Sequence, residues 1–201
     1  CVYAKAAVLP MEMASEQFLR PDGNAYLESL PSSQLIKANG VDLLRDSFVF
    51  AAPDDWYYLT GTSLGEGDSH LSMTSAIRLW RSRDLKTFEP LGTVYDYRSE
   101  PSSWQNHVSR DLNSWAPEMI FHAGTYWITY STSPGCGLLK SISGRPEGPY
   151  QDMGRVVNRG IDSGFFKDGD TLYLIWQNGW IAPLSDDGRE MLEEPVLLLP
   201  W

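Results

Sequence analysis

The chain has 201 residues, enough for one sizeable domain, and carries 26 acidic against 16 basic residues, a formal net charge of −10. That sign excludes nucleic acid and an anionic membrane surface as main partners, because both need a basic face. Hydrophobic residues at 42% and charged residues at 21% exclude wholesale disorder, and no apolar run approaches the roughly 18 residues of a transmembrane segment.

The chain opens at Cys1. An N-terminal Cys suits a bacterial lipoprotein cleaved at its lipid-attachment site; a trimmed boundary or tag remnant is the alternative. Cys1 and Cys136 do not make a disulfide framework. Cys136, between two glycines, reads as a turn residue or a small buried thiol rather than a nucleophile. Residues 1–40 show no strand alternation and form an N-terminal arm, with a weak helical stretch at Met11 to Leu19.

From residue 41 onward one pattern repeats three times: a strand, a tight polar turn and an aromatic second strand. The first copy runs Asp46-Ser47-Phe48-Val49-Phe50, a turn at Pro53-Asp54-Asp55, then Trp56-Tyr57-Tyr58-Leu59-Thr60. The second runs Trp115-Ala116-Pro117-Glu118-Met119-Ile120-Phe121, a turn at Ala123-Gly124, then Tyr126-Trp127-Ile128-Thr129-Tyr130. The third runs Asp162-Ser163-Gly164-Phe165-Phe166, a turn at Lys167 to Asp170, then Leu172-Tyr173-Leu174-Ile175-Trp176. Each copy goes on to two further strands, and the spacing of the second and third falls in the roughly 40–50 residues of a four-stranded propeller blade. The expectation is an all-β chain, a β-propeller with three four-stranded antiparallel blades at about 41–97, 114–158 and 160–201. Polar loops at 64–76 and 96–113 lengthen the first unit and are candidates for a binding face.

Arg45-Asp46-Ser47, Trp56 to Thr62 and Ile77 to Leu85 resemble the first blade of glycoside hydrolase family 43. Trp115-Ala116-Pro117-Glu118 with Gly124 to Trp127 and Gly148-Pro149-Tyr150 resembles its second blade, and Ile161 to Asp170 the start of its third. The resemblance implies a five-bladed propeller that hydrolyses arabinose- or xylose-containing saccharides with inversion, using three axial carboxyl groups. By motif match Asp46 takes the general-base position and Asp162 the position that orients the acid and tunes its proton affinity. The family's proline after each Asp is serine here, Ser47 and Ser163. The general acid, a glutamate opening a fourth blade, is expected beyond Trp201. Glu147-Gly148-Pro149 resembles its motif but falls on the closing strand of the second blade. The expected result is a chain with weak or no glycosidase activity by itself. A non-catalytic carbohydrate-binding or assembly module derived from a glycosidase is the alternative.

An inverting site needs an acid beside the leaving oxygen and a base that activates water, about 6.5–9.5 Å apart. Without the resemblance, Asp46 and Asp162 read better as Asx turns or strand caps. Candidate substrate contacts are Glu118 at an inner strand, the rings of Trp104, Trp115 and Trp180, and His107, which is placed to reach the pocket or a central ion. Blade packing is the alternative for each Trp, and His122 reads as a solvent-facing turn residue. No Cys/His spacing suits a metal, Asp168-Gly169-Asp170 reads as a hairpin turn rather than a calcium loop, and no cofactor is expected. The expected partners are a saccharide ligand and a second copy of the chain, a homo-oligomer joined through exposed blade flanks. The expected location is secreted or periplasmic.

Overall fold

The computed structural model describes residues 44–64, 74–107, 113–133 and 135–198, together with the backbone of Lys37–Ala38. The arm, the Met11 to Leu19 stretch, Cys1 and parts of both long loops lie outside the described residues. Among the described residues, thirteen strands make three sheets and there is no α-helix.

Blade 1 is built from β2 (Leu44–Ala51), β3 (Tyr57–Ser63), β4 (Ala76–Ser82) and β5 (Thr87–Asp96). Blade 2 contains β6 (Trp115–His122), β7 (Thr125–Thr132), β8 (Gly135–Ser141) and β9 (Tyr150–Val157). Blade 3 contains β10 (Gly164–Asp168), β11 (Thr171–Trp176), β12 (Trp180–Pro183) and β13 (Val196–Leu197). Each blade is an antiparallel meander in chain order, and the short β1 (Lys37–Ala38) adds to β5 in parallel as a fifth strand of the first sheet. The all-β propeller architecture expected from the repeats is therefore present.

The hairpin turns follow from local chemistry. His122 pairs with Thr125, leaving Ala123 (φ 48°) and Gly124 (φ 78°) as a two-residue loop with both residues left-handed. That is the type I′ turn, whose twist matches the flanking strands. Between β2 and β3, Asp55 takes φ 64° after Pro53-Asp54, and Ala52 N–H donates to Trp56 O at 2.9 Å.

The core lies between blades, and β7 shows why. Its eight residues are all buried, because both faces of the strand are covered. Tyr126, Ile128 and Tyr130 point to blade 1, where they meet Tyr58, Ile77, Leu79 and Tyr95. Trp127, one residue out of phase, points to blade 3 and packs with Leu172, Leu174, Trp176 and Leu184. The period of two that sends alternate side chains to opposite faces thus welds three sheets through one strand. His122 belongs to this packing. It is 8% exposed, with Nδ1 left without a hydrogen-bond partner, so the expected solvent-facing histidine is a buried one. The reason is register: His122 closes β6 inward, beneath the edge of blade 3.

Candidate functional site

The three innermost strands begin alike. In β2 the ladder skips from Arg45 to Phe48, and in β6 from Trp115 to Glu118, so each strand carries a bulge at the same place. The residue inside the bulge is left-handed in both, Asp46 at φ 52° and Ala116 at φ 42°. Asp162 repeats the conformation at φ 54°, two residues before β10. Asp adopts this region more readily than most residues, which suits two of the three positions. Register confirms the equivalence: Arg45 pairs with Thr62 and Trp115 with Ser131, while Ile161 O accepts from Gln177 N–H at 3.0 Å. Asp46, Ala116 and Asp162 are three copies of one station at the same end of three blades.

A hydroxyl on each second strand reaches the next blade's station. Thr62 Oγ1 accepts from Ala116 N–H at 2.8 Å and donates to Asp46 Oδ2 at 2.9 Å. Ser131 Oγ accepts from Asp162 N–H at 2.6 Å. Asp46 is thereby tied through Thr62 to the inner strand of blade 2, and the backbone of Asp162 is tied to β7 of the same blade. Arg45 Nε also donates to Asp46 Oδ2, at 2.9 Å. Behind Asp162 lies a buried polar shelf, in which the Thr129 and Ser163 hydroxyls stand 2.6 Å apart and Cys136 Sγ–H donates to Gly160 O at 3.6 Å. Burial pushes the Cys136 thiol up, which makes it inert, in keeping with a small buried thiol; it sits on β8 rather than in a turn.

Glu118 follows Ala116 by two residues and leans onto β10. Its carboxylate accepts from Phe165 N–H, and a Cβ at Gly164 would stand 2.5 Å from Oε2. Burial, helped by the Asp162 charge and opposed by the Phe165 bond, raises it to about 7. Asp46 and Asp162, by contrast, are exposed to solvent. Glu118, Asp162, Asp46 and the half-buried Trp115 therefore gather at one end of the inner strands.

The other expected site residues are not drawn into this cluster. Trp104 packs between blades 1 and 2, with Nε1–H donating to Tyr130 OH at 3.0 Å and Arg155 lying 5.6 Å over its ring. His107 ends the same short 3₁₀ turn, Trp104–His107, and is exposed. Trp180 opens β12, 38% exposed, at the same end of blade 3 as Asp162 but two strands further out. Among the described residues no cluster of His, Cys, Asp and Glu is shaped for a metal ion. The station geometry, the Thr62 and Ser131 links and the lean of Glu118 escape a sequence reading. The one signal for them is the threefold alignment, which sets Gly164 against Glu118 and Phe48.

Two surface concavities lie away from this end. One, about 360 Å³, is lined by Lys140, Gln151, Met153, Asp187 and Arg189 among others. The other, about 330 Å³, lies beside the hairpin turns of blades 1 and 2, with Asp54, Phe121, Tyr126 and Arg145 in its wall.

Comparison with known proteins finds relatives of the same fold. Over 142 residues the chain is 27% identical to the extracellular endo-alpha-(1->5)-L-arabinanase 1 of Bacillus subtilis, covering 67% of this chain and 41% of that protein. It is 26% identical over 144 residues to the beta-D-galactofuranosidase xynD of Aspergillus niger, covering 60% of this chain and 42% of that one. The chain thus spans about two-fifths of the length of these relatives. Among solved structures, the endo-arabinase of Bacteroides thetaiotaomicron superposes with a TM-score of 0.57 at 22% identity, covering 85% of this chain and 58% of that one. The family-43 protein BlXynB of Bacillus licheniformis superposes at 0.60 and 22% identity, covering 79% of this chain and 32% of that one. The sequence pattern of the glycosyl hydrolases family 43 matches residues 41–200, and the chain belongs to that family.

Proposed function

We propose that this chain forms the base-bearing part of an inverting glycosidase site for arabinose- or xylose-containing saccharides. The observation that carries the reading is the shared left-handed station of Asp46 and Asp162, on the first and third inner strands. In this reading Asp46 takes a proton from a water molecule as that water attacks the anomeric carbon, the glycosidic C–O bond breaks on the opposite face, and the leaving oxygen of an activated glycoside departs with the electron pair as an aryloxide. The Thr62 and Arg45 bonds both fall on Oδ2 of Asp46, and Oδ1 is the basic atom. Asp162 supplies the negative charge that keeps a neighbouring acid protonated. Trp115, beside the Ala116 station, offers the ring on which a sugar face stacks.

General acid help is typically worth 10²–10⁴-fold, and the two carboxylates assigned here supply a base and a tuning charge. The 201-residue chain is expected to cleave activated aryl arabinosides or xylosides slowly and natural oligosaccharides scarcely at all. The test is turnover of such an aryl glycoside by the wild type and by Asp46→Asn. Loss of turnover in the variant supports the base, and equal turnover in both overturns it. Robust cleavage of unactivated arabinan or xylan fragments by the chain alone overturns the weak-activity reading. Saccharide binding without any turnover favours the second reading, a carbohydrate-binding module, which the retained Trp115 and axial carboxylates also suit.

The extracellular arabinanase of Bacillus subtilis supports a secreted or periplasmic location. Leu192, Val196 and Leu198, each more than half exposed at the edge of blade 3, support self-association through that flank. Light scattering that gives a monomer mass at micromolar concentration overturns the association.

A further inference from the structure

The catalytic reading above leaves Glu118 unused, yet its setting is built rather than incidental. It stands at the first paired position after the β6 bulge, where blade 1 has Phe48 and blade 3 has Gly164. Its carboxyl lies over Gly164, where a Cβ would come within 2.5 Å of Oε2 and 2.9 Å of the carboxyl carbon. Only glycine leaves that space, and Phe165 N–H donates into it. Thr129, opposite Glu118 in the ladder, commits its hydroxyl to Gly137 O and Ser163.

The charged groups on the surrounding elements are few. Asp162 stands two residues ahead of Gly164 and acts on Glu118 directly. On β2, Arg45 and Asp46 are paired with each other at 2.9 Å. The phenols of Tyr58 on β3 and of Tyr126 and Tyr130 on β7 are buried in the core between blades 1 and 2. Glu118 therefore answers to one charged neighbour.

We propose that Glu118 is a positioning residue for Asp162: its carboxyl ties the inner strands of blades 2 and 3 at Gly164 and Phe165, and its protonation sets the charge that Asp162 faces. The inference rests on the reading of Asp162 as an axial carboxylate of the glycosidase site. Below about pH 7 Glu118 holds its proton, and Asp162 faces a neutral carboxyl. When Glu118 releases its proton to solvent, Asp162 faces a negative charge across one inter-blade contact. A sugar-contacting glutamate, as the sequence suggests, would instead need its carboxyl free of Gly164 and Phe165.

The test is a carbon-13 carboxyl titration of the whole chain by NMR, with no substrate present. In the wild type, Glu118 is expected to titrate near 7. Asp162→Asn lowers the Glu118 midpoint. Glu118→Gln keeps an acceptor for Phe165 N–H and removes the neutral-pH titration from the spectrum. Gly164→Ala keeps every charge and displaces the carboxyl, so Glu118 then titrates as an exposed glutamate. A wild-type Glu118 with an ordinary glutamate midpoint overturns the proposal, as does a Glu118 midpoint that Asp162→Asn leaves unmoved. Should Glu118→Gln fail to fold, an unmoved Glu118 midpoint in Gly164→Ala is equally decisive. Because these signals need no turnover, a chain that hydrolyses nothing overturns the catalytic reading without touching this result.

Discussion

Thr62 and Ser131 do the same task on successive blades. Each stands on a second strand, and each hydroxyl accepts the backbone N–H of the left-handed residue that opens the next blade, Ala116 for one and Asp162 for the other. A bulge leaves that N–H outside the sheet ladder, and a buried donor without a partner is costly. The side-chain hydroxyl supplies the missing acceptor and locks the angle between blades at the same stroke.

Removing that hydroxyl tests the arrangement. Thr62→Val keeps the shape of the side chain while it orphans Ala116 N–H and releases Asp46 Oδ2 from one of its two bonds. The expected cost is about 1–3 kcal/mol of folding stability, with a larger fall in turnover of an aryl glycoside than in its binding. Denaturant unfolding and steady-state kinetics read the two. A variant as stable and as active as the wild type shows that the relay contributes nothing.

Glu118 makes stability depend on pH in an unusual direction. Its value in the fold is about 7 against an ordinary 4.5, so between these limits the folded chain holds a proton that the unfolded chain has lost. Folding stability from this group is therefore full below pH 4.5 and is lost as pH rises towards 7. Glu118→Gln removes the loss. The variant is expected to be more stable than the wild type at pH 8, by roughly 2–3 kcal/mol, and to gain nothing at pH 4.5. Thermal midpoints across this range check it, and parallel curves for the two proteins count against it.

His122 works in the opposite sense. Burial holds its imidazole below the ordinary 6.5, with Lys167 pushing the same way. The unfolded chain thus takes up a proton that the folded chain refuses, and stability is lost as pH falls below 6.5. His122→Gln is expected to flatten the acid side of the stability profile while it leaves the alkaline side unchanged. An acid limb of the same slope in both proteins would show that His122 is not the group that titrates.

Trp104 offers a test that separates packing from sugar contact. Its Nε1–H donates to the buried Tyr130 OH, which also lies against Tyr95. Trp104→Phe is expected to cost about 1–2 kcal/mol of stability and to leave saccharide affinity unaltered. Calorimetric titration with an arabino- or xylo-oligosaccharide supplies the second number, and a large loss of affinity without loss of stability would return Trp104 to the binding surface.

The blade plan is legible in the sequence because it is written in a period of two. Tyr126, Trp127, Ile128, Thr129 and Tyr130 alternate between two cores, and the hairpins are punctuated by residues such as Gly124 and Asp55. Asp46 and Asp162 are legible through the recurring Asp-Ser pair. What the sequence hides is depth and direction. Glu118 looks like any carboxylate on an inner strand until Gly164 is placed beneath it. Trp104 looks like a sugar platform until Tyr130 is seen to hold its N–H, and His122 lies in a turn-rich segment whose register buries it. These are properties of contacts between blades, and no local pattern encodes them.

Ala116 gives the inner rim a sequence of signs. Its methyl group stands at the station where blades 1 and 3 present aspartates, and the one acid that blade 2 sends nearby, Glu118, still holds its proton below neutrality. Travelling around the axis one meets a negative group, a neutral step and a negative group. A third aspartate at the middle station would set like charges on adjacent blades. The neutral middle blade acts instead as an electrical spacer that holds the base and the tuning charge one blade apart.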